Sequence, residues 1–176
     1  MGYFMDGQNR QAAEQYKEYL SNQPSDDYAW YLLGETQMRT QHMMEAVDCF
    51  HKAIRLNGKR GLYYNAFGTA FYIQGRTEES LEALKKAMDF GKKDALTLTM
   101  TAINHIRANQ REEAAPFFRI ALKRNPSNPL AMFHYGELLL SMNEKSKAIA
   151  LLNKVIKLEY FAPVKEQAKR LVGSTI

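Results

Sequence analysis

Apolar residues recur along this chain at the spacing of a helix, in short segments separated by polar turns. "WYLLGETQM" puts Trp30, Leu33 and Gln37 on one face, and "EAVDCFHKA" puts Ala46, Phe50 and Ala53 on another. Both segments read as amphipathic helices. Gly34 interrupts the first, although a glycine inside a helix costs about 1 kcal/mol relative to alanine.

Self-similarity accounts for it. Stepping 34 residues from Gly34 gives Gly68, Ala102 and Gly136, and the same step from Trp30 gives Tyr64, Leu98 and Met132. Ala46 leads to Ser80, Ala114 and Ala148; Phe50 to Leu84, Phe118 and Leu152; Ala53 to Ala87, Ala121 and Val155. Each copy holds two helical stripes, so the unit is a helix pair, and a small residue marks where two backbones approach. Gly34 is then small because the second helix of its own pair crosses there. The turns agree: Gln41, Gly75, Asn109 and Asn143 share one column, and Gly and Asn tolerate the left-handed conformation after a helix. Asp26, Asp94 and Asn128 stand where an N-cap oxygen is wanted, and Pro129 follows at a first helical position.

The pattern resembles the tetratricopeptide repeat, whose signature is W-x2-L-G-x2-Y, then A-x3-F-x2-A, then P. Trp30, Leu33, Gly34, Ala46, Phe50, Ala53 and Pro126 match it. Gln37, His105, Thr101, Gly58, Lys92 and Tyr160 depart from it at single positions. The resemblance implies an all-α fold, a right-handed superhelical solenoid of antiparallel helix pairs. Full repeats are expected at 27–60, 61–94, 95–128 and 129–162, after a partial repeat over 1–26 and before a capping helix over 163–176 that starts at Pro163 and stops at Gly173.

Gly7, Ala12, Tyr16, Tyr19 and Pro24 fall on the columns of the partial repeat, leaving only "GYFMDG" of its first helix. Tyr16, Tyr19, Tyr3 and Phe4 are therefore expected on an uncovered apolar face, either cut from a longer polypeptide or covered by a second molecule. In the capping helix, Val164, Ala168, Leu171 and Val172 should face the last pair, with Lys165, Lys169 and Arg170 in water.

Composition narrows the function. The chain has 176 residues, 45% hydrophobic and 24% charged, with a net charge of +5. Residues 95–176 hold 12 Lys/Arg against 6 Asp/Glu, whereas residues 1–94 hold 12 against 13. A basic half invites nucleic acid or an acidic membrane, but no stacking-aromatic module accompanies it, and solvated outer helix faces account for it. No run approaches the roughly 20 apolar residues of a membrane span, and the N-terminus has no signal-peptide pattern. The single Cys49 excludes an internal disulfide; a reduced cytoplasm fits, and so does a periplasm.

Candidate chemistry is thin. His42, His51, His105 and His134 include no pair at the spacing of a helical metal site, and "LNGKRG" lacks the first Gly and the Ser/Thr of a phosphate loop. Glu78–Glu79 and Glu112–Glu113 begin helices, where negative charge suits the dipole. No catalytic residue, cofactor or metal is expected.

By resemblance, the first helices line a concave groove. Its expected residues are Tyr28, Tyr31, Met38, Arg39, Asn65, Tyr72, Ile73, Ile103, Ile106, Arg107, Phe133, Glu137 and Leu140. Family members that clamp the acidic tail of a chaperone carry Lys, Arg and Asn where this chain has Tyr31, Glu35, Ala66, Leu96 and Met100, so that specialisation is excluded. Aromatics and aliphatics with scattered Arg and Glu suit an amphipathic helix or an apolar extended segment. The expected function is a non-catalytic scaffold or adaptor binding another protein. Self-assembly through Tyr16 and Tyr19, or an assembly-chaperone role in secretion or envelope biogenesis, are the alternatives.

Overall fold

The structure, a computed structural model, describes residues 2–158 and 162–175, with side chains over 7–158 and 164–175. The side chains of Tyr3, Phe4, Tyr160 and Pro163 lie outside the described residues. Among the described residues there are ten helices and no strand: α1 (Gly2–Asn22), α2 (Asp27–Arg39), α3 (Met43–Leu56), α4 (Gly61–Ile73), α5 (Thr77–Asp89), α6 (Ala95–Arg107), α7 (Arg111–Arg124), α8 (Pro129–Ser141), α9 (Lys145–Ile156) and α10 (Ala162–Thr175). They fall into two compact units, Met1–Lys93 with α1–α5 and Asp94–Ile176 with α6–α10.

In the first unit, α2 packs on α3 and α4 on α5, while α1 covers α2 and α3 covers α4. The crossings explain the glycines. A Cβ on Gly34 would lie 2.5 Å from the Phe50 ring, and one on Gly68 would lie 2.9 Å from Leu84 Cγ. Phe50 and Leu84 are both fully buried. One cluster joins Ala13 and Leu20 of α1 to Ala29, Leu33 and Cys49. Another joins Ala46 and Phe50 to Ala66 and Ala70, with Tyr31 and Met38 against it.

The second unit repeats the plan, with α6 on α7, α8 on α9, and α10 closing on α9. Gly136 approaches Leu152 Cδ2 so closely that a Cβ would stand at 2.8 Å. Met132, Phe133, Leu152, Val155 and Ala168 form its core, with Val164, Leu171 and Val172 of α10 packed against it. Buried Thr101 replaces an expected leucine at no cost in unpaired polarity, because its hydroxyl donates to the Thr97 carbonyl at 2.9 Å.

One turn closes each pair. Gln41, Gly75, Asn109 and Asn143 all have left-handed φ, at 65°, 74°, 60° and 62°. The following N–H reaches back across each turn, from His42 to Gln37 O, Arg76 to Phe71 O, Gln110 to His105 O and Glu144 to Leu139 O, at 2.8–2.9 Å. These are Schellman closures. Asp26, Asp94 and Asn128 cap α2, α6 and α8 through their side-chain oxygens. Position 60 breaks the series: Arg60 caps nothing with its side chain and instead donates to Tyr63 Oη at 3.0 Å.

Two sequence expectations are corrected at the ends. No turn occurs at Gly7, which lies inside the uninterrupted α1 and outside the left-handed region. Continuing α1 through Gly7 keeps the backbone groups on both sides of it hydrogen-bonded within one helix. Gly173 does not stop α10, which continues to Thr175; the hydroxyls of Ser174 and Thr175 donate to Leu171 O at 3.0 and 2.6 Å.

Candidate functional site

The first helices of the first unit present an aromatic tier. Tyr28, 45% exposed, stacks on Tyr31 with centroids 5.6 Å apart, and Tyr31 stacks in turn on buried Tyr63 at 5.3 Å. The Arg60 guanidinium lies 6.0 Å from the Tyr28 ring and 5.5 Å from that of Tyr63. Beneath it, the Tyr63 hydroxyl donates to Asp27 Oδ2 at 2.6 Å. An exposed ring is thus held by a buried one, which gives a stiff, amphipathic contact surface. Burial, helped by the Glu35 carboxylate, pushes the Tyr31 hydroxyl up to about 12. Burial likewise raises the pKa of Glu35 above the usual carboxylate range.

The remaining expected positions divide by exposure. In the first unit, Arg39 and Ile73 are exposed, while Met38, Asn65 and Tyr72 are half-buried. In the second unit, Arg107 is exposed, and Ile106, Glu137 and Leu140 are half-buried, Glu137 bonding to His134 Nδ1 at 2.8 Å. Ile103 and Phe133, each 5% exposed, offer no groove surface. The reason is packing within the unit: α6 lies on α7 and touches α8, and Phe133 belongs to the core that α9 and α10 close. Leu96, 53% exposed, presents more apolar surface than either.

Sequence reasoning missed a cleft of about 850 Å³ where α1, α2 and α3 meet, floored by Ala13, Leu33, Gln37 and Cys49 and walled by Trp30 and Lys52. The Lys52 ammonium sits 4.1 Å from the centroid of the Trp30 ring. Moving each α2 and α3 position forward one repeat gives the cleft lined by Tyr64, Phe67, Phe71 and Ala83, of only about 190 Å³. Phe71 and Phe67, in contact at 4.4 Å, fill there what Gln37 and Leu33 leave open. The departure of Gln37 from the repeat signature was the available signal.

A second opening lies between α1 and α2, about 410 Å³, lined by Ala12, Tyr16, Tyr19, Tyr28 and Leu32 among others. Tyr19 is 47% exposed and donates to Asp26 Oδ2 at 3.0 Å; Tyr16 is half-buried against the α1–α2 core.

Cys49 and His105 are engaged in packing and hydrogen bonding. Cys49 is buried, and burial pushes its thiol up to about 11, so it is no ready thiolate. His105 shares a hydrogen bond with Gln110 Oε1 at 2.8 Å and stacks on Phe117. Among the described residues, no three His, Cys, Asp or Glu gather as metal ligands, and no helix is long and apolar enough to cross a membrane.

The tetratricopeptide repeat profile matches residues 3–47 and 99–160, more than half of the chain. The chain belongs to the tetratricopeptide repeat family. Two solved structures share its fold of antiparallel helix pairs. YrrB, described as a tetratricopeptide protein with an unusual peptide-binding site, superposes with a TM-score of 0.79 at 18% identity, over 93% of this chain and 82% of its own. MamA gives 0.79 at 17% identity, over 95% and 94%. Among curated relatives, anaphase-promoting complex subunit 3 of Schizosaccharomyces pombe is 22% identical over 97% of this chain and 25% of its own length. The BBSome complex member BBS4 of Bos taurus is 24% identical over 77% and 26%. ER membrane protein complex subunit 2 of Xenopus tropicalis is 31% identical over 46% and 27%. This tetratricopeptide chain thus spans about a quarter of the length of the curated relatives it matches.

Proposed function

We propose that this tetratricopeptide chain is a non-catalytic scaffold that holds a peptide or helix of another protein on the inner faces of its first helices. The observation that carries the reading is the Tyr28–Tyr31–Tyr63 stack, which keeps a large aromatic ring at the surface when folding alone would not require it there. Within the first unit, exposed Ile73 adds apolar contact on α4 and Arg39 supplies charge that can set a partner's register; within the second, Leu96 and Arg107 offer the same on α6. Apolar anchors ringed by a few charges suit an amphipathic helix. The relatives named as subunits of multiprotein complexes agree with a role in assembly.

The test is selection from a display library of amphipathic helices and apolar extended peptides, followed by affinity measurement with Tyr28→Glu, Tyr72→Glu and Ile106→Glu. Helix content should persist while affinity for the selected peptides falls at least about tenfold. Unchanged affinity in all three would remove the inner faces as the binding surface.

A second reading follows from a different observation, the open face of α1. Tyr16 and Tyr19 there form an association surface, for a second copy or for another chain. Light scattering across a concentration series tests the homo-oligomer, which a monomer at every concentration would dismiss.

A further inference from the structure

The large cleft at Gln37 and the small one at Phe71 are built on the same plan. α2 packs against α1 and α3 as α4 packs against α3 and α5, so the hollow at α2 comes from its side chains and not from a missing helix. In the small cleft three groups are stacked in order. The Phe71 ring packs on Phe67, the Arg76 guanidinium lies 4.3 Å from the Phe71 centroid, and it donates to Glu79 Oε1 at 2.7 and 2.9 Å.

One repeat earlier the corresponding residues are Gln37, His42 and Glu45. The ring and the guanidinium are gone, and the carboxylate remains. The next acid on the rim has also lost its pair. Glu82 bonds to Lys86 at 2.9 Å, but its counterpart Asp48 does not hold Lys52, whose ammonium lies over Trp30. Across the cleft, Lys17 is taken by Glu14 at 2.8 Å. Among the described residues neither Glu45 nor Asp48 has an ion pair, so the charge left open on this rim is negative.

The floor adds an independent observation. Gln37 is 5% exposed and lines the cleft, and its Nε2 donates to nothing among the described residues. Its Oε1 competes with the carbonyls of Thr36 and Gln37 for the one Thr40 hydroxyl proton, at 3.4 Å against 3.2 and 3.1 Å. A buried amide left open in this way is a standing hydrogen-bonding group for whatever enters.

We propose that this cleft binds a segment of another protein in which an aromatic side chain stands beside an arginine. The ring takes the place that Phe71 holds one repeat on, against Leu33 and Trp30. The guanidinium covers the ring and reaches Glu45, as Arg76 reaches Glu79, with Asp48 adding attraction on the same rim. The Gln37 amide donates to a backbone carbonyl of the segment. At about 850 Å³ the cleft lies within the roughly 300–1,000 Å³ usual for ligand sites and has room for both groups. It is a second site, independent of the inner faces: neither Tyr28 nor Tyr72 lines it.

The probe is a capped tetrapeptide, Gly-Phe-Arg-Gly, titrated into the isotope-labelled full chain. NMR follows the Gln37 side-chain amide and the indole of Trp30, the single tryptophan. Control peptides replace Arg by Gln or Phe by Ala, and protein variants carry Gln37→Phe, Glu45→Gln or Tyr28→Glu. Both signals should shift saturably with the parent peptide and far less with the controls. Gln37→Phe should weaken binding at least about tenfold, because its own ring fills the place, while melting no lower than the parent chain. Glu45→Gln should weaken the arginine peptide about two- to fivefold and leave the glutamine peptide unchanged. Tyr28→Glu should change neither. No saturable shift into the millimolar range, or undiminished binding to Gln37→Phe, would overturn the site. Equal binding of the arginine and glutamine peptides would overturn the guanidinium–carboxylate contact that defines the occupant. Loss through Tyr28→Glu with none through Gln37→Phe would overturn the cleft and support the inner face. A dimer that Gln37→Phe dissolves would overturn the foreign segment in favour of a second copy.

Discussion

The Tyr63 hydroxyl lies 2.6 Å from Asp27 Oδ2, a hydrogen bond between residues 36 apart that ties α4 to α2. The ring is fully buried, and Arg60 approaches the same carboxylate at 3.6 Å. This bond fixes the base of the aromatic tier on which Tyr31 and Tyr28 stack.

Tyr63→Phe keeps the packing and deletes the donor. The half-covered Asp27 carboxylate then relies on Arg60 alone, so stability should fall by about 1–2 kcal/mol. Urea titration should show a lower midpoint with the same slope. An unchanged midpoint would mean that Arg60 and water replace the hydroxyl in full.

Tyr31 and Tyr63 also predict alkaline behaviour. Both hydroxyls titrate above their ordinary value of 10.0, first because burial disfavours the phenolate; Glu35 adds to this at Tyr31, and the hydrogen bond to Asp27 at Tyr63. Folding therefore keeps these groups protonated, and the unfolded chain releases their protons first. The stability they contribute is whole below pH 10 and is lost as pH rises, for Tyr31 between about 10 and about 12. Thermal midpoints measured from pH 9 to 11 should fall, and less steeply in Tyr31→Phe. Equal slopes in both proteins would contradict the burial of the Tyr31 hydroxyl.

The 34-residue columns made most of this fold legible, because small residues at helix crossings and left-handed turn residues are demands of backbone geometry that recur wherever the pair recurs. Exposure was less legible. Ile103 and Phe133 sit on the same columns as Thr69 and Tyr31, and periodicity gives them the same face. How deeply that face is covered depends on the bulk of neighbouring helices, which differs between pairs. Gly7 marks another limit, since its column demands a turn only where two helices fold together.

Gly34 shows a finer limit. Ala102 on its column suggests that any small residue serves, yet a Cβ at Gly34 would lie 2.5 Å from the fully buried Phe50 ring. Gly34→Ala gains about 1 kcal/mol of helix propensity and loses about 1–3 kcal/mol to overpacking. We expect net destabilisation, relieved when Phe50→Leu is added. A more stable single variant by calorimetry would show that α2 and α3 can separate without loss.

Gln37 gives the opposite case, a position where the repeat is underfilled. Its counterpart Phe71 packs on Phe67 and carries the Arg76 guanidinium 4.3 Å from its ring centroid, and the cleft there is small. Gln37 is 5% exposed, and its Oε1 receives only a long 3.4 Å bond from Thr40. Thr40 keeps its bonds to the carbonyls of Thr36 and Gln37 whatever side chain stands at 37. Gln37→Phe should therefore bury apolar surface against Leu33 and Trp30 with little polar loss, adding about 1 kcal/mol and about 2–4 °C to the melting temperature. A lower melting temperature would mean that Leu33 and Cys49 hold the cleft walls too rigidly to accept a ring, and that the amide of Gln37 is better satisfied in the cleft than its single long bond suggests.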